Sequence, residues 1–183
     1  MPPRPFRIQS ALCLLVALLA TTAGGDSTWK PFVPEDGSFR VEMPGAPQQE
    51  TRERWFPASR FVSTVYKVRR EGDVFGVNHT DLPGAILFVT SDRYILDTTR
   101  EGFLESSQAT QLAFEASEVD GRPARELLYA IPATADHPAQ KGTARMLFVD
   151  KRLFIFYAEI REQGGSEDDV LRYFSSIRIP APD

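Results

Sequence analysis

Apolar and polar positions alternate along much of this chain, and the alternation is broken at short intervals by turn residues. Phe39, Val41 and Met43 fall on one side of a strand over Ser38 to Met43, which Pro44-Gly45-Ala46-Pro47 stops. Arg60 to Arg69 is rich in β-branched and aromatic residues and reads as a strand. Gly72-Asp73 then turns the chain into a second strand, Val74 to Asp81. Leu112 to Val119 and Arg125 to Ile131 read as two strands of a hairpin around Asp120-Gly121, a pair that tolerates the positive φ of a two-residue turn. Ala133 to Lys141 reads as a loop, and Thr143 to Val149 leads through Asp150-Lys151 into the last strand.

Two stretches change period. Ile95, Thr99, Gly102, Phe103 and Ser106 lie on one helical stripe after Ser91-Asp92, either of which can cap the first free N–H groups. Gly102 within that stripe predicts a close backbone approach to a sheet. Ser166 caps a final helix with Asp169 at the capping-box position, and Val170, Leu171, Phe174 and Ile177 form its stripe. Ile177 to Ile179 reads as a short closing edge segment. Leu153 to Ala158 is six consecutive apolar residues, so this strand carries large groups on both faces and needs cover on both. The expected fold class is therefore α+β: a mostly antiparallel sheet covered by helices on both faces, an α/β/α sandwich.

The first 23 residues do not read as part of that domain. Arg4 and Arg7 precede the apolar run Ala11 to Ala20, and Thr21-Thr22-Ala23 supplies the small residues of a cleavage site. This is the pattern of a secretory signal peptide, 1–23, followed by a single globular domain, 24–183. Ten apolar residues in a helix rise about 15 Å, half of a ~30 Å hydrocarbon core, which argues against a stable membrane anchor after cleavage. The expected location is periplasmic or extracellular. The one cysteine, Cys13, lies in the apolar run, so the mature chain is free of disulfides and has no thiol nucleophile. Without Arg4 and Arg7, 19 basic residues remain against 25 acidic ones, a net charge of −6. Arg69-Arg70 and Lys151-Arg152 are isolated basic pairs, so no nucleic-acid partner is expected.

One set of motifs runs in order through the mature part. It opens with Trp29-x-x-Phe32 and Pro34-Glu35-Asp36-Gly37-Ser38-Phe39-x-Val41-x-Met43-Pro44-Gly45-x-Pro47, and continues with Phe75-Gly76-Val77 and Thr80-Asp81-Leu82-Pro83. Leu96-Asp97-x-x-Arg100-x-Gly102, Asp120-Gly121-Arg122-Pro123-Ala124-Arg125-Glu126, Arg145-Met146-x-Phe148-Val149-x-x-Arg152-Leu153-Phe154 and Phe174-x-Ser176-Ile177 follow. Together they resemble the PsbP-like exported proteins of bacteria. The resemblance implies the α/β/α sandwich of the superfamily that PsbP shares with the Ran-binding Mog protein. It carries over no binding residue, since none of these motifs is a ligand set.

Candidate chemistry is sparse. His79 stands in the strand Val74 to Asp81 on the face of Phe75 and Val77, and Asp81 lies on the same face two residues on. Read structurally, His79 is a core residue with a satisfied ring nitrogen; read chemically, His79 and Asp81 are metal ligands or an acid–base pair. One histidine and one carboxylate fall short of the four ligands of a closed metal site. His137 is expected in solvent. Asn78-His79-Thr80 matches a glycosylation sequon inside a predicted strand, and Glu167-Asp168-Asp169 suits a helix start. No nucleophile elbow, zincin, phosphate-loop, dinucleotide or EF-hand pattern occurs. The expectation is an exported, non-enzymatic module with no cofactor that binds a protein partner or a small ligand. The alternative is a metal-binding protein or a hydrolase using His79 and Asp81.

Overall fold

The computed structural model describes residues 29–56, 59–84 and 91–181; the expected signal peptide, with Cys13, lies outside them. Two antiparallel meanders make one sheet. The first is β3 (Gln48–Phe56), β4 (Ser59–Arg70) and β5 (Asp73–Asp81). The second is β6 (Thr110–Val119), β7 (Arg122–Ile131), β8 (Gln140–Val149) and β9 (Arg152–Arg161). They join where β5 pairs with β9, which gives the order β3-β4-β5-β9-β8-β7-β6, antiparallel throughout. Helix α1 (Asp92–Ser107) lies between the meanders in sequence, and α2 (Glu167–Ser175) follows β9.

Local chemistry accounts for the punctuation. Asp120 (φ 51°) and Gly121 (φ 72°) both take positive φ in the β6–β7 turn, as a two-residue hairpin of this twist requires. Ser91 accepts the N–H of Tyr94 at the start of α1, and Ser166 accepts that of Asp169 at the start of α2. A short separate sheet, β1 (Lys30–Phe32) with β2 (Val41–Met43), makes an N-terminal strap. Arg40 and Arg178 exchange backbone hydrogen bonds of 2.9 and 2.8 Å, fastening the strap to the segment after α2.

The strap and α2 close one face of the sheet. Phe39, Val41 and Met43 are fully buried there with Phe75, Val77, Phe154, Phe156, Tyr173 and Ile177. On the opposite face Val74, Leu127, Tyr129, Ile131, Ala144, Met146, Ile155 and Tyr157 form a second cluster, with Leu96, Phe103 and Leu104 of α1 packed against it.

This arrangement corrects the expected α/β/α sandwich. Leu153 to Ala158 is buried along its whole length, but helical layers are not what buries it. One face is covered by a β strap with a 9-residue helix, and on the other the 16-residue α1 packs against β7 and β8. The described residues make a mostly antiparallel β structure with two short helices. The inference failed because a strand buried on both faces demands cover without specifying helix, and an apolar β hairpin covers as well.

Smaller points of the sequence reading also change. A Cβ on Gly102 would meet nothing within 4 Å, so this glycine marks no close approach. Leu171, placed on the buried stripe of α2, is 68% exposed. Strand β3 (QQETRERWF) was not anticipated, and Gln140 and Lys141, expected in a loop, begin β8.

Candidate functional site

Strand alternation puts Phe75, Val77, His79 and Asp81 on the strap face of β5, and β9 sets Phe154 opposite His79 and Arg152 opposite Asp81. The His79 ring is stacked with Tyr66 (centroids 5.8 Å apart, planes 26° apart) and with Phe154 (6.2 Å, 15°). Phe39 of the strap approaches it edge-on at 6.0 Å. The imidazole is thus held among three aromatic rings, and its Nδ1 is buried with no hydrogen-bond partner among the described residues. Burial holds its pKa below the usual 6.5, and Arg152 pushes the same way; Asp36 and Asp81 oppose them. The ring is therefore a neutral, apolar-packed group at neutral pH.

Asp81 does not turn toward that ring. Arg152 grips it with both arms of its guanidinium, from Nε to Oδ1 and from Nη2 to Oδ2 at 2.9 Å. The remaining arm, Nη1, donates to Oδ2 of Asp36 at 2.6 Å, and the Ser38 backbone N–H donates to Asp36 Oδ1 at 3.2 Å. Burial alone would raise the Asp36 carboxyl, but hydrogen bonding from Ser38 and the nearby Arg152 outweigh it, so its pKa falls below the usual value. Arg152 is a clasp between the strap turn at Asp36 and the end of β5.

The structure brings His79 and Asp81 to one end of one face without joining them. The half-buried histidine is stacked among aromatic rings, and both Asp81 oxygens are taken by a cation. Among the described residues no group of three or more His, Cys, Asp or Glu side chains is placed to hold a metal ion. His137 lies in the loop before β8, half-buried, with Nδ1 3.0 Å from the carbonyl oxygen of Pro138. Asn78 is a mid-strand residue whose Oδ1 accepts a hydrogen bond from Ser63, an unusual setting for a glycosylation acceptor. Glu167, Asp168 and Asp169 form the acidic first turn of α2.

A second polar centre, on the opposite face, was not read from the sequence. Tyr157 lies across Gly76 on β5 and Tyr129 across Gly142 on β8; a Cβ at either glycine would overlap the facing ring. Beside them Glu159 accepts a hydrogen bond from the Tyr129 hydroxyl at 3.1 Å. Burial raises the Glu159 carboxyl above its usual pKa, while the Tyr129 bond and the charges of Arg69, Lys67 and His137 hold the rise down. The signal for this centre was a lone acid following an apolar run, Leu153 to Ala158, and a glycine within each neighbouring strand, Gly76 and Gly142.

No family model matches the chain, and no curated protein matches it. Among solved structures it is similar to the cyanobacterial PsbP protein (CyanoP) of Synechocystis sp. PCC 6803, with a TM-score of 0.56 and 13% identity over 89% of this chain and 99% of that one. A protein of unknown function from Pseudomonas aeruginosa is similar at a TM-score of 0.36 and 11% identity, over 85% of this chain and 99% of that one. The likeness to the Synechocystis protein is one of architecture: this chain has a PsbP-like fold.

Proposed function

We propose that this protein is an exported, non-enzymatic binding module, a single domain from residue 24 onward that works outside the cytoplasm on a protein partner or a small ligand. The observation that carries the reading is the use made of the polar candidates. Asp81 and Asp36 are clasped by Arg152, and His79 is packed among Tyr66, Phe154 and Phe39. A general base needs its partner within hydrogen-bond reach, and a nucleophile needs a base; this cluster supplies neither. The PsbP-like fold is compatible with the reading and the Arg4–Ala23 pattern supports export.

The unpartnered Nδ1 of His79 is the one observation on the side of the metal-ligand alternative. A paired measurement decides between them. Wild type and His79→Phe are purified without chelators and compared for metal content and thermal stability at pH 7.5. Equal metal content, with no stoichiometric metal in either, and a folded variant are expected. Stoichiometric zinc or manganese in the wild type, lost from a still-folded variant, would overturn the reading. N-terminal sequencing of the exported product tests the other half: a start near Gly24 is expected, and an intact Met1 on a membrane-bound product contradicts it.

A further inference from the structure

A groove of about 560 Å³ runs along the α1 face, between the first two turns of α1, the start of β7 and the end of β8. Its size lies within the range of small-ligand sites, roughly 300–1,000 Å³. Leu96, Pro123 and Phe148 give it an apolar lining, and Arg125 stands beside them. The Arg125 guanidinium lies over the Phe114 ring, 4.4 Å from its centroid, and donates to the Phe114 carbonyl oxygen at 3.1 Å. Arg100 approaches the same ring at 5.0 Å, but its charge is met by Asp97 at 4.0 Å and Glu101 at 3.0 Å. Arg125 has no carboxylate within ion-pair distance among the described residues: it is held in place by a ring and a neutral carbonyl, with its charge uncompensated. A guanidinium fixed in orientation with free donors is pre-organised for a planar oxyanion. Asp92, Asp97 and Asp150 also line the groove, as do Arg93, which pairs with Asp97 at 3.8 Å, and Arg122, whose guanidinium donates to the Ile179 and Pro180 carbonyl oxygens.

We propose that this groove binds a monocarboxylate with an apolar body, its carboxylate on Arg125 and its hydrocarbon on Leu96, Pro123 and Phe148. The apolar lining selects against inorganic anions, and the arginine against neutral lipids and alcohols. The proposal rests on the binding-module reading and names its ligand class; its failure leaves that reading standing, because the metal and stability comparison at His79 is independent of the groove.

The test is a titration of the full mature chain, 15N-labelled, followed by amide chemical shifts. Octanoate is the probe, with octanol and inorganic phosphate as its apolar and anionic halves. Saturable shifts confined to the amides around Leu96, Arg125 and Phe148 are expected with octanoate, and at least tenfold weaker binding of octanol and phosphate. Arg125→Gln is expected to weaken octanoate at least tenfold with the fold intact. Should that variant not fold, Arg125→Lys keeps a charge without the planar fork and is expected to bind several-fold more weakly than wild type. Absence of saturable shifts at the groove, equal affinity for octanol or for phosphate, or unaltered octanoate binding by a folded Arg125 variant would overturn the proposal.

Discussion

The two faces of the sheet are buried by different means. On the strap face nearly every inward residue is apolar or aromatic, Phe39, Phe75, Phe154, Phe156 and Tyr173 meet in one cluster, and the cover is tied down by Arg152–Asp36 and by the paired backbones of Arg40 and Arg178. Even the polar hydroxyl of Tyr173 is satisfied, donating to the Gly76 carbonyl at 2.6 Å. On the α1 face the cover among the described residues is one helix with a single buried residue, Ile95, and the interior admits a carboxyl, Glu159, beside two tyrosines. The first arrangement resembles a closed core. The second leaves a groove along its margin and a protonatable group within. A sheet of this kind separates a face that stabilises from a face with room for recognition, and the chemistry-bearing residues are best sought on the second.

The comparison is most exposed to truncation on the closed face. Phe156 is fully buried, and Phe156→Ala is expected to cost about 3–5 kcal/mol of stability, read from denaturant unfolding. A cost under about 1 kcal/mol would mean that the strap face tolerates cavities as a loosely covered surface does. The α1 face should respond more to added volume. Gly142→Ala pushes a methyl into the Tyr129 ring, and a loss of about 1–3 kcal/mol is expected; an unchanged melting temperature would show that the tyrosine moves aside freely.

Glu159 sharpens the contrast by charge alone. Its pKa is raised on folding, so the neutral acid is the form the fold favours. Its contribution is fully present below the carboxyl's unfolded pKa and lost as pH rises through the folded value. Glu159→Gln keeps an acceptor for Tyr129 and removes the charge. The variant is expected to be more stable than wild type at pH 8, with the gap closing as pH approaches 4. A gap independent of pH would mean that Glu159 is not buried as an ionisable group.

Legibility in the sequence followed physical distinctiveness. The hairpin at Asp120-Gly121 could be read because few residues accept positive φ twice in succession, and the caps Ser91 and Ser166 because their hydroxyls replace missing backbone partners. Strand β3 could not: at the sheet's edge its residues from Gln48 to Glu53 are exposed on both faces, so the apolar period that marks a strand is absent. The alternation that put His79 and Asp81 on one face held. What they do there was hidden, because the clasp joins Asp36 to Arg152 across 116 positions and no local pattern encodes such a pair. Glu159 was passed over for a related reason: its burial depends on Tyr129, 30 residues away. The sandwich misreading has the same root, since the strap that covers β9 comes from the far end of the chain.

The central claim is that His79 is part of the closed face and carries no chemistry. It is tested by the pH dependence of stability in wild type and His79→Phe. Burial lowers the folded pKa of His79 below the usual 6.5, so below that pH the unfolded chain binds the extra proton more readily than the folded one. The stability due to the neutral ring is present above about pH 6.5 and is lost as pH falls toward the folded value. Wild type should therefore lose melting temperature between neutral and mildly acidic pH more steeply than His79→Phe, which cannot take up that proton, and the two should lie close together at pH 8. Parallel curves over the whole range would contradict the account, because a histidine that titrates alike in folded and unfolded chains is not held neutral within an aromatic core.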